Sequence, residues 1–205
     1  MGLQAVGLGK RYGRVWILRD VSFELAPGAR MVVRGGNGSG KSSLLRLICG
    51  LDRASEGMIT GEAAGHDLLT AEELPDHIAY SAPDQHLIVD LTAREHLEFH
   101  ARFRGYKPGL TAQLVLEAAL LEAHGDKLVG ALSSGMRQRL ELAIAMGTRA
   151  ELLVLDEPVS HLDRAGVDWY GNLQKRWCAG QTIVTGSNYH GDEYPEGAQF
   201  LDLTA

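Results

Sequence analysis

Cysteine is scarce: the chain holds two, Cys49 and Cys178, far apart and without metal-ligand spacing. That excludes a disulfide framework and a thiolate metal centre, and it fits a reducing compartment in which both are small core residues. No stretch approaches the roughly 20 apolar residues needed to span a bilayer, and the N-terminus lacks the basic-then-apolar design of a secretory signal. A cytoplasmic protein is expected. Excess positive charge is missing too. The 26 Asp and Glu outnumber the 20 Lys and Arg for a formal charge of −6, which argues against a nucleic-acid binder that works by counterion release. No G-x-S-x-G elbow supports a hydrolase triad. His96 and His100 share a helix face, but the acid between them is Glu98, so the H-E-x-x-H pattern fails and both read as exposed helix residues. Internal repeats and low-complexity segments are absent.

Glycine is in excess, 25 among 205 residues, against a background of about 7 %. Its spacing lacks the strict period of collagen, and a composition 45 % hydrophobic is no disordered linker. The glycines therefore belong to turns or to a ligand. The length suits one domain, with room for an inserted subdomain. Charge is uneven along the chain: residues 1–50 carry eight Lys or Arg against Asp20 and Glu24. A basic quarter in an acidic protein suits a small polyanion.

Short apolar clusters predict strands at 3–8, 21–25 and 29–34, then a helix over 41–49 that stops at Gly50. Residues 51–77 are turn-rich with weak strand signals, and a brief strand is expected at 78–81. Helical spacing marks 92–103 and 110–123, with Thr92 and Thr111 near the starts. These helices form an insertion of about 50 residues, over about 90–140. A helix at 133–146, a buried apolar run at 152–155, a helix at 163–178 and strands at 182–187 and 200–203 complete the pattern. Strands alternating with helices imply an α/β fold with a mostly parallel sheet.

Residues Gly35, Gly36, Asn37, Gly38, Ser39, Gly40, Lys41, Ser42 fit G-x-x-x-x-G-K-[ST] between a predicted strand and a predicted helix, with Ser43 following. The glycines let backbone N–H groups converge on phosphate oxygens at a helix N-terminus. Lys41 neutralises the β- and γ-phosphates, and Ser42 can ligate Mg²⁺. Downstream, Leu152 to Leu155 end in Asp156 and Glu157, two carboxylates at the C-terminal end of a strand. Asp156 would hold Mg²⁺ through water, and Glu157 would act as general base on the attacking water.

Between these elements stands Leu132-Ser133-Ser134-Gly135-Met136-Arg137-Gln138-Arg139-Leu140, which resembles the LSGGQ signature of the ATP-binding cassette (ABC) ATPases. Ser134 replaces the usual third-position glycine and Met136 the glutamine. The order of Tyr12, phosphate loop, signature, Asp156-Glu157 and Ser160-His161-Leu162-Asp163 is also the family's, so the resemblance covers essentially the whole chain. It implies a single ABC domain over residues 1–205: a P-loop NTPase with a mostly parallel core sheet, an N-terminal antiparallel β part and an inserted α-helical subdomain. It further implies ATP and Mg²⁺ as cofactors and a head-to-tail homodimer or paired cassette. There Ser133, Ser134 and Gly135 of one chain would meet ATP held by the other, and Asp163 would couple the two sites. Tyr12 falls where the family places an aromatic ring against adenine.

Two positions depart from the pattern. The family's glutamine is expected directly after Ile78-Ala79-Tyr80-Ser81-Ala82, where Pro83 stands; either Gln85 still reaches Mg²⁺ and water from two residues on, or that ligand is missing. The switch histidine is replaced by Asn188, which can hydrogen-bond a phosphate but cannot carry a proton near neutral pH. His190 could substitute, and His161 could approach the nucleotide. Slower hydrolysis is expected, with Glu157 and Lys41 still in place.

The implied role is the ATP-binding subunit of a transporter, cytoplasmic and peripheral on the inner face of the membrane through a polytopic membrane subunit, with no nucleic acid. That partner would dock at the helical insertion and the groove beside residues 81–91. Because the chain ends soon after its last strand, no C-terminal regulatory extension is expected. In size and order it is similar to exporter-type subunits, including the haem exporters of cytochrome c maturation. A soluble non-transport ABC ATPase and a nucleotide-gated cassette with weak hydrolysis are the alternatives.

Overall fold

The computed structural model describes residues 1–63, 65, 68–83, 87–188, 194 and 197–203. Gln85 and His190 lie outside the described residues. The chain divides into two compact units, one of Met1–Tyr80, Glu151–Glu157 and Gly180–Ala205, the other of Ser81–Ala150 and Pro158–Ala179.

The first unit holds two sheets. β1 (Gly2–Tyr12) pairs antiparallel with β2 (Val15–Leu25) and with β4 (Glu56–Glu62). Both β1 and β2 run well past the apolar clusters at 3–8 and 21–25. Tyr12 faces Val15 across a two-residue hairpin in which Gly13 has φ +60°, and polar ladder residues such as Lys10 and Arg11 hide the strand from an apolar count. β4 likewise emerges from the turn-rich segment because β1 supplies its hydrogen bonds.

The second sheet has the order β5 (Ile78–Ser81), β6 (Leu152–Asp156), β7 (Thr182–Ser187), β3 (Arg30–Arg34), β8 (Gln199–Asp202) among the described residues. β6–β7, β7–β3 and β3–β8 are parallel. Every residue of β6 and β7 is buried, which the apolar run Leu152 to Leu155 of β6 requires of a central parallel strand. α1 (Lys41–Ile48) packs on β6 and β7 through Leu44, Leu45, Leu47 and Ile48, and the short α2 (Leu74–His77) leads into β5. Register aligns Arg34 with Ser187 and Asp156 with Gly186, so the loops after β3, β6 and β7 leave the sheet along one edge. Open parallel sheets bind ligands at this edge.

The second unit is helical. α3 (Ala93–Phe103) starts at a capping box: the Thr92 side chain accepts from the Glu95 N–H, and the Glu95 carboxylate accepts from the Thr92 N–H. α4 is confined to Ala112–Ala118, shorter than its apolar pattern, because Leu120 turns to φ +58° and ends the helix. α5 (Ser134–Gly147) and α6 (Arg164–Trp177) pack together.

One expectation is corrected. His96 is 8 % exposed, on the face of α3 that buries Ala93 and Leu97, and His100 is half-buried with Nε2 2.9 Å from Thr148 Oγ1. Burial lowers the pKa of both, His100 to about 4. They are neutral packing residues; alternating polar and apolar neighbours concealed which face turns inward.

Candidate active site

The phosphate loop is a chain of backbone constraints ending in a helix. Gly40 caps α1 with φ +94°, and a Cβ there would stand 2.7 Å from Leu18 Cδ2, so only glycine fits. The next residue, Lys41, is buried, and its ammonium donates to Gly35 O at 2.9 Å and Gly36 O at 3.1 Å. It also donates to Asn188 Oδ1 at 2.5 Å. Asn188 Nδ2 in turn donates to Glu157 Oε1, which lies 4.0 Å from Lys41 Nζ. One amide therefore joins the cation of the phosphate loop to the carboxylate after β6.

Glu157 has φ +47°, a left-handed conformation that is uncommon outside glycine and costs on the order of 1–2 kcal/mol. Its N–H donates to Gly186 O at 3.0 Å, which holds the turn against β7. Asp156 is buried one residue earlier. Gly186 makes room for it: a Cβ there would lie 2.8 Å from Asp156 Oδ1.

The hydroxyls of Ser39 and Ser187 are buried without a hydrogen-bond partner among the described residues. A buried orphan hydroxyl is costly unless a ligand satisfies it. Beside a glycine loop and a helix N-terminus this suits phosphate oxygens. Ser42, exposed in the first turn of α1, and the Asp156 carboxylate supply hard oxygen donors of the type Mg²⁺ takes alongside phosphates.

Tyr12 closes β1, 51 % exposed as a residue, with its hydroxyl donating to Asp52 Oδ2 at 2.6 Å. Lys10 and Asp52, its neighbours in this cluster, carry no motif, and sequence reasoning missed them. Trp16 is half-buried, with the Arg19 and Arg11 guanidiniums 5.1 and 5.5 Å from its ring.

In the second unit Ser133 is the N-cap of α5, its Oγ accepting from the Met136 N–H at 3.2 Å. Ser134 is exposed and Gly135 partly so, leaving the start of the helix open to an anion. Asp163 caps α6 the same way, accepting from the Gly166 N–H at 2.8 Å. Gln138, which no motif singled out as functional, donates to Pro158 O at 2.7 Å, and its Oε1 lies 3.1 Å from His161 Nδ1. This side chain clasps the signature helix to the turn that leads to Asp163. Its only sequence signal is a glutamine on a helix face that proves buried.

A family model described as ABC transporter matches residues 18–160. The chain is 34 % identical to a cytochrome c biogenesis ATP-binding export protein of Agrobacterium fabrum, covering 100 % of this chain and 96 % of that one. It is 37 % identical to the protein of the same name from Roseobacter denitrificans, over 93 % of this chain and 85 % of the relative. Among solved structures it resembles a dimeric ATP-binding cassette in a post-hydrolysis state with ADP and phosphate, at TM-score 0.78 and 23 % identity, covering 92 % of this chain and 88 % of that chain.

Proposed function

Because this chain belongs to the ABC transporter family, whose activity is ATP hydrolysis, we propose that it powers a membrane exporter by the residues around Lys41, Asn188 and Glu157. The observation that carries this reading is the convergence of phosphate-loop lysine, amide and carboxylate at the ends of β3, β6 and β7. Adenine stacks on Tyr12, and the backbone of Gly35 to Ser43 with Lys41 receives the phosphates. Mg²⁺, held by Ser42 and Asp156, would offset phosphate charge. Glu157 takes a proton from water as the water oxygen bonds to the γ-phosphorus; the bond to the bridging oxygen breaks, and ADP and phosphate leave. Asn188 supplies an amide donor where a proton carrier would otherwise stand.

A second copy brings Ser133, Ser134 and Gly135 to the same nucleotide, with Asp163 setting the α6 cap beside the turn that joins the sites. The membrane subunit is polytopic and places this chain at the cytoplasmic face. The names of the relatives favour export serving cytochrome c biogenesis. Co-purification with a polytopic membrane protein supports the transporter reading, whereas a stable complex with ribosomes or DNA reverses it. Hydrolysis is tested by Mg²⁺-dependent ATPase assay of wild type against Glu157→Gln: wild-type activity no higher than the variant's ends the claim. A nucleotide-gated cassette with weak turnover is the second reading, favoured by Pro83 and Asn188, and single-turnover hydrolysis separates the two.

A further inference from the structure

Tyr12 is an exposed aromatic at the tip of a hairpin, where a side chain ordinarily rotates freely, yet here its far end is held. The hydroxyl donates to Asp52 Oδ2 at 2.6 Å. Asp52 sits just past the end of α1, in the segment between that helix and β4, and its other oxygen accepts from Lys10 Nζ at 2.5 Å and from the Arg53 N–H at 2.8 Å. Lys10 is buried and also donates to Arg53 O at 2.8 Å. It lies two residues before Tyr12 on the same face of β1, with its ammonium 4.8 Å from the ring centroid. Partial burial opposes the charge on Asp52, but the bonds from Lys10, Tyr12 and the Arg53 backbone outweigh it and keep the carboxyl below its ordinary range. The bond to Asp52 holds the Tyr12 phenol above its ordinary range, so it remains a donor.

We propose that Asp52 is a positioning residue for the nucleobase: it grips the Tyr12 hydroxyl and fixes the ring in the orientation in which a purine stacks. The ring then meets the base already ordered, and the rotamer entropy that a free tyrosine would lose on binding is lost at folding instead. The Lys10 ammonium covers one face of the ring and leaves the other for the base. In this role Asp52 acts through Tyr12 and not on the nucleotide directly. This rests on the reading that Tyr12 stacks on adenine.

The competing explanation is that Asp52 only neutralises buried Lys10. Tyr12→Phe separates the two, because it cuts the bond to Asp52 and leaves the Lys10–Asp52 ion pair intact. The assay compares binding of ATP with binding of inorganic tripolyphosphate, which lacks a base. Tyr12→Ala should reduce the preference for ATP about tenfold or more. Tyr12→Phe, and Asp52→Ala combined with Lys10→Met so that no lysine is stranded, should each reduce it about threefold or more. The loss should fall on KM for ATP rather than kcat, tripolyphosphate binding should hold, and adding Tyr12→Phe to the Asp52→Ala, Lys10→Met variant should bring no further loss. If Tyr12→Ala weakens ATP and Tyr12→Phe matches wild type, the role of Asp52 is overturned while stacking stands. If Tyr12→Ala keeps the full preference for ATP, stacking itself fails and the role of Asp52 fails with it.

Discussion

Asn188 donates its amide N–H to Glu157 Oε1, and the same amide accepts from Lys41 at 2.5 Å. The Asn188 amide is thus fixed in polarity. Its oxygen faces a cation and its nitrogen faces a carboxylate, and the amide itself does not titrate.

Replacing Asn188 with His should therefore change the form of the pH–rate profile as well as its height. A histidine between an ammonium and a carboxylate titrates near neutral pH, so Asn188→His should add an ionisation to kcat that the wild type lacks. Steady-state ATPase rates from pH 5.5 to 9 provide the check, and superimposable profiles would show that this position does not report on the reacting phosphate.

Glu157→Gln removes the proposed general base and keeps the hydrogen-bond acceptor for Asn188. Turnover should fall by at least about a hundredfold while ATP binding persists. With ATP the variant should accumulate as a dimer in light scattering. Lys41→Ala should stay monomeric at the same nucleotide concentration, since it loses the phosphate-loop cation.

Gly40→Ala places a Cβ 2.7 Å from Leu18 and demands φ +94° of an L-residue. Both costs fall on the turn that presents Lys41. ATP affinity should drop about tenfold or more, with a lower melting temperature, on the scale of about 1–3 kcal/mol for a strained backbone position.

Burial raises the Glu141 carboxyl to about 7, with Arg137 pulling the other way. Glu141 lines a cavity of 320 Å³ in the helical unit with Val89, Val129 and Arg137. Between the ordinary glutamate value near 4.5 and about 7 the folded chain binds more protons than the unfolded one, so this group's contribution is fully present below that window. It is lost as pH rises through the window. Denaturant unfolding should show stability declining over that range through this group. Glu141→Gln should flatten the decline and gain on wild type above pH 7.

The phosphate loop was legible because its chemistry is contiguous: Gly35 to Ser43 form, cap and charge one helix N-terminus within a single stretch of chain. Asp156 and Glu157 were legible for a similar reason, since an apolar run followed by two acids reports a buried strand and the point where it ends. The capping threonines Thr92 and Thr111 follow the same local logic. The histidines of α3 did not, because i and i+4 define a shared face without saying which way it turns.

By itself, then, the sequence determined the glycine-lysine motif before α1, the paired acids after the apolar run, and the motif order that identifies the family, all of them patterns that need only neighbours along the chain. Only the tertiary structure decided that Asn188 would span Lys41 and Glu157, residues 147 and 31 positions away, and that Lys10 and Asp52 would hold Tyr12. The reason is the sheet. Parallel pairing of β3, β6 and β7 in matched register brings three distant strand ends to one edge, and that long-range register leaves no mark in local composition.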